Sequence, residues 1–160
     1  MTDFLYDAGT SGYIATPFNL LSTELNTLAS ASVVVSSVGG TSGVFSQSNT
    51  VSGLVGAIYF SAGGAFTPTA GGFLAGWFLA SSDGGTTFEK FVSNVSPPRA
   101  ADFVIPFMNQ AYASGELAFS NGILVPLPPT SFKIALFQAA GVTLPASGNL
   151  VKLGPVAVKY

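Results

Sequence analysis

The sequence predicts an all-β fold, an antiparallel β-sandwich of jelly-roll-like kind with one short N-terminal helix. Three observations point there. After residue 31 the chain is a succession of short runs rich in Val, Ile and Phe, the residues that suit a pleated, half-buried surface. Each run is bounded by Gly, Pro, Asn or Ser clusters, from GGTSG at 39–43 to PLPP at 126–129. No fixed-period repeat or compositional break divides the 160 residues, a length suited to one domain with a real core.

In chain order, residues 1–13 (MTDFLYDAGTSGY) are rich in small and polar residues but carry Phe4, Tyr6 and Tyr13. They read as a flexible arm that orders on a neighbour or on its own domain, followed by a single sandwich domain over 14–160. The helix falls in TPFNLLSTELNTLAS: Thr16 can cap it, Pro17 fits its first position, and Leu21, Leu25 and Leu28 recur at helical spacing. Against it stand Ser22, Thr23, Asn26 and Thr27, which are middling helix formers. Strands are predicted at 32–38, 51–60, 73–81, 86–92, 102–108, 123–127, 132–138 and 150–159. Asp83-Gly84, both tolerant of positive φ, predicts a hairpin joining the third and fourth of these.

A strand that buries one face alternates apolar with polar. Phe132, Ile134 and Leu136, opposite Lys133, obey this rule. The run FLAGWFLA at 73–80 does not: Phe73, Trp77 and Leu79 share one side, Leu74, Phe78 and Ala80 the other. Residues 51–60 are doubled in the same way, with Leu54, Ile58 and Phe60 against Val55, Ala57 and Tyr59. Such strands must be covered twice. The leucine helix, a second subunit or a different protein can each supply the second cover.

Composition narrows the function. Only 8% of residues are charged, against roughly 25% in ordinary domains, and 32 Ser and Thr carry much of the surface instead. With a net charge of −2 the chain offers little self-repulsion, which suits a life packed against partners, copies of itself included. Five dispersed cations form no basic patch, so nucleic acid is not an expected partner. No apolar run approaches the roughly 18 residues of a membrane span, and no membrane partner is expected.

With neither His nor Cys, the Ser-His-Asp triad, the Cys-His pair and the usual zinc sites are excluded. Seven acidic residues leave carboxylate pairs, Asp83 with Glu89 or Asp102 with Glu116, as the remaining route to glycoside hydrolysis. The plainer reading makes Asp83 a turn residue and Glu89 the partner of a nearby cation. DGGTTFE lacks the alternating acidic ligands of a calcium loop. No catalytic residue, metal or cofactor is therefore expected.

Several stretches resemble a family of tailed-bacteriophage virion proteins: STELNTLAS (22–30) before the strand VVVSSVGGTSGVF, then GGAFTPTAGGFLAGWFLASSDGGTTFE (63–89), ADFVIPF (101–107) and LPASGNLVKLGPVAVKY (144–160). The resemblance implies a jelly-roll-like sandwich that coats the outer surface of a phage head. It would dock on the major capsid protein as a homodimer or homotrimer and cement adjacent capsomers. The shared motifs are structural, so no ligand site carries over. The interface residues expected on this reading are Phe4, Tyr6, Tyr13, Phe73, Leu74, Trp77 and Phe78. The alternative is a tail- or fibre-associated module that binds glycans on the host surface, with an aromatic platform around Trp77 or Tyr112.

Overall fold

The computed structural model describes residues 4–5, 18–36, 55–83, 85–91, 99–128 and 130–158. Nine strands are found among them: β1 Phe4–Leu5, β2 Phe18–Leu21, β3 Ser32–Val35, β4 Val55–Ser61, β5 Phe73–Ala80, β6 Phe103–Pro106, β7 Leu117–Pro126, β8 Phe132–Ala139 and β9 Leu150–Val158. They form two antiparallel sheets. The first runs β1-β9-β4-β7, with β2 also paired to β9, and the second runs β3-β8-β5-β6. The pairings nest about the middle of the chain: β5 with β6, β4 with β7, β3 with β8 and β2 with β9. An all-β sandwich of antiparallel sheets is thus the observed architecture.

Alternation builds the core. On β5, Leu74, Gly76 and Phe78 turn inward; on β8, Phe132, Ile134 and Leu136; on β4, Ile58 and Phe60; on β9, Val151 and Leu153. Phe78 packs at 5.2 Å from the Phe132 ring and 5.6 Å from that of Phe103. Phe103 lies across β5 at Gly76, where any Cβ would fall inside its ring. A second aromatic knot joins Phe60, Phe66, Phe107 and Tyr112, with centroids 5.4–6.0 Å apart. The Tyr112 hydroxyl accepts from the Met108 N–H at 3.0 Å, so the buried phenol is satisfied.

Two buried amides tie loops to the sheets. Gln138 donates to the Leu28 and Val142 carbonyls and accepts from the Ala140 N–H. Asn149 accepts from Gly63 N–H and donates to the Pro145 carbonyl and Asn26.

The predicted helix is replaced by strand β2 and a single 3-10 turn, Thr23–Leu25, the only helical turn among the described residues. The leucines are still buried: Leu20, Leu21 and Leu25 are fully covered and Leu28 packs against the same core. A register shift between Asn19 and Leu21 lets two consecutive leucines face inward. Weak helix formers met an available ladder on β9, and tertiary pairing won. Thr16 and Pro17 lie outside the described residues.

The fourth predicted strand, 86–92, is also corrected. Ser81 and Phe88 form an isolated antiparallel bridge, and the ladder stops there. Phe88 and Phe91, three residues apart, both pack on the outside of the second sheet, which a period-two strand does not allow. Of the expected arm, Phe4–Leu5 pairs with Val158 and Ala157; the rest of it lies outside the described residues.

Candidate functional site

The outer face of the second sheet is where the doubled apolar pattern of β5 is resolved. Register places Val104, Ala75, Phe137 and Val33 in one row across all four strands. The row on one side holds Pro106, Phe73 and Ala139, and the row on the other holds Trp77, Ala135 and Val35. None of these ten positions is charged. On the first sheet the corresponding surface is broken by the polar row Tyr59, Lys152 and Asn19.

Part of this face is covered by the chain itself. Residues 85–91 and 99–102 lie over Ala75, Trp77, Leu79 and Ala135, with Phe88, Phe91 and Ala101 as the covering side chains. Trp77 is 5% exposed, packs 5.1 Å from the Phe91 ring and donates its indole N–H to the Arg99 carbonyl at 3.0 Å.

Arg99 holds this strap down. Its Nη2 donates to the Phe78 carbonyl at 2.8 Å and to Glu89 at 3.2 Å, its Nε to Glu89 at 3.3 Å, and its Nη1 to Asp102. Asp102 accepts in turn from the Phe78 N–H at 2.7 Å. The hydrogen bonds it donates to both carboxylates, Glu89 first, raise the pKa of the Arg99 guanidinium above its ordinary value, so it stays charged. Backbone groups of β5 beyond the end of its pairing with β6 are thereby paired with a side-chain ion cluster.

The strap begins at a tight turn organised by Asp83. One carboxylate oxygen accepts from the Thr87 N–H at 2.7 Å, the Thr86 N–H at 3.0 Å and the Ser81 hydroxyl at 2.8 Å. Hydrogen bonds from Thr87, then Ser81, push its pKa well below the usual carboxylate range. Beside the turn, Ala80, Ser82, Phe88, Glu89 and Thr130 border an open depression of about 560 Å³. Its carboxylate is already engaged by Arg99, and Lys133 sits 4.6 Å above the Phe88 ring.

The remaining part of the face is left open by the described residues. Phe73 and Phe137 are half-buried with ring centroids 6.4 Å apart. Around them Val35 is 39%, Val104 45% and Met108 62% exposed.

The sequence-predicted interface residues divide accordingly. Phe73 stands in the open part, Trp77 lies beneath the strap, and Leu74 and Phe78 are buried between the sheets. Phe4 is in β1, while Tyr6 and Tyr13 lie outside the described residues. Trp77 and Tyr112, the proposed glycan platform, are 5% and 3% exposed, so neither offers a free ring face. Of the candidate carboxylate pairs, Asp102 serves Arg99 and the Phe78 N–H, and Glu116 accepts from the Ala113 N–H at 2.7 Å in its own turn. Sequence reasoning missed Val33, Val104, Pro106 and Phe137. Only the cross-strand register assembles them, although the charge-free outward positions of their strands were readable. No known family model, curated protein or solved structure matches the chain with significance.

Proposed function

We propose that this chain is a non-enzymatic structural protein of a phage virion, a jelly-roll head-decoration or cement protein that binds the lattice of the major capsid protein from outside. The jelly-roll reading is supported by the nested antiparallel pairing, in which one long hairpin is rolled so that its strands fall into two sheets. The docking reading is carried by one observation: an uncharged apolar row crosses four strands, and the chain's own strap covers only part of that face.

Contact there would bury apolar surface at roughly 25 cal/mol per Å², less the costs of association. The open strip is small beside the roughly 800 Å² per partner of a stable interface, so attachment relies on many sites at once. Self-association as a dimer or trimer, which the low net charge permits, would couple such sites. In this reading Phe73, Phe137 and Val104 are the anchors, and Leu74 and Phe78 serve the fold.

The test is co-sedimentation of purified protein with phage heads that lack it. Wild type is expected to pellet with heads, and Val104→Asp or Phe137→Asp to lower occupancy at least about tenfold with an unchanged far-UV spectrum. Wild-type protein left in the supernatant, or Asp variants that bind as well as wild type, would overturn the proposal.

A further inference from the structure

The N-terminal strand is joined to the sandwich by far more chain than its position requires. Strand β1 pairs Phe4 with Val158 and Leu5 with Ala157; strand β2 pairs Phe18 with Leu153 of the same strand β9. The two contact points on β9, Ala157 and Leu153, are four residues apart, about 13 Å at strand spacing. Between Leu5 and Phe18 the chain takes thirteen Cα steps, enough to span about 40 Å. A direct continuation along β9 would use about four. The surplus is comparable with the diameter of a 160-residue domain, whose radius of gyration is about 15 Å.

We propose that β1 is an exchange element: Phe4–Leu5 of one copy pairs with Ala157–Val158 of a second copy, in the register seen within the chain. The occupant is fixed by the sequence, because every copy carries both the strand and the strip that receives it. Cis and trans pairing make identical ladder contacts, so the exchange costs association entropy and no new packing. A two-residue strand holds its own domain only weakly, and the long connection lets it leave without disturbing β2. Raising the protein concentration shifts the pairing from cis to trans by mass action. The inference rests on chain geometry alone and stands or falls separately from docking to phage heads.

Because the chain contains no cysteine, engineered thiols report the pairing directly. Cα atoms of facing residues in an antiparallel pair lie about 4.5–5.5 Å apart, within disulfide range. A Leu5→Cys chain is refolded with a size-tagged Ala157→Cys chain and oxidised; a cis disulfide is impossible in this mixture. The expected result is a covalent heterodimer, at least about tenfold more abundant than with a Lys152→Cys partner, which is out of register. The Leu5→Cys/Ala157→Cys double variant should then give mostly covalent dimer at high protein concentration. Closure of that double variant as an internally bridged monomer, with no heterodimer in the mixture, overturns the proposal. So does the absence of any disulfide both there and in the neighbouring Phe4→Cys/Val158→Cys pair, since the register itself would then be absent.

Discussion

The two faces of β5 are both dry, but they are kept dry by different means. Inward, Leu74, Gly76 and Phe78 meet the opposing sheet, a surface fixed by continuous backbone ladders. Outward, Ala75, Trp77 and Leu79 meet residues 85–91 and 99–102, which are attached by one isolated bridge and the hydrogen bonds of Arg99, Asp102 and Glu89. A doubly apolar strand therefore does not by itself demand a second protein, because a strap from the same chain suffices. Where the strap ends, at Phe73 and Phe137, the described residues leave the same face open, and this is the part on which the docking proposal rests.

The comparison predicts unequal costs. Phe78→Ala removes a ring that is 2% exposed and in contact with Phe103 and Phe132, and is expected to cost about 3–5 kcal/mol in urea denaturation. Its effect should be global, with one cooperative transition. Arg99→Ala should cost less, about 1–2 kcal/mol, because the guanidinium is more than a third exposed and its ion pairs are partly screened. The loss should be local to the strap. Trp77, the only tryptophan, sits under it, so the variant's emission should shift to the red under conditions where the fold is intact. An unshifted spectrum, or a loss equal to that of Phe78→Ala, would erase the distinction between ladder-held and strap-held faces.

How much of this was legible in the sequence follows the same division. The ladder-built part was readable, since β-rich runs, turn punctuation and alternation locate β3 to β9 to within a few residues, β7 excepted; predicted positions 37–38, 51–54 with Leu54, and 159 lie outside the described residues. That strand begins at Leu117, six residues before the predicted Ile123, because Ser120, Asn121 and Gly122 lack the β-branched and aromatic side chains that mark a strand. The doubled faces of 73–80 were also visible. What covers them was not. Phe88 and Phe91 look like members of a strand until register shows that the ladder stops at the Ser81–Phe88 bridge. Arg99 meets Glu89 ten residues upstream and the Phe78 carbonyl twenty-one upstream, contacts that no local pattern encodes. The leucine stripe at 21, 25 and 28 was correct about burial and wrong about helix. Spacing records which side chains are hidden, and the backbone that hides them is chosen by the neighbouring strand.

The smallest expected effect concerns the turn from which the strap departs. The inner face of β5 presents no titratable group, so acid should reach the two faces of the strand unequally. Asp83 has a folded-state pKa depressed below the ordinary 3.8 by the Thr87 and Ser81 hydrogen bonds. A depressed carboxylate stabilises the folded state fully above its unfolded value and loses that contribution as pH falls through the window below about 4, towards the folded value. Wild type should therefore lose thermal stability through this window more steeply than Asp83→Asn, and the two melting temperatures should converge at its acid end. The carboxylate is solvent-exposed, so the difference at pH 7 should be modest and should shrink in salt. Parallel melting curves for the two proteins from pH 7 to pH 2 would mean that the charge on Asp83 does not hold the turn. The outer cover would then depend on Arg99 and the Phe88–Phe91 packing alone.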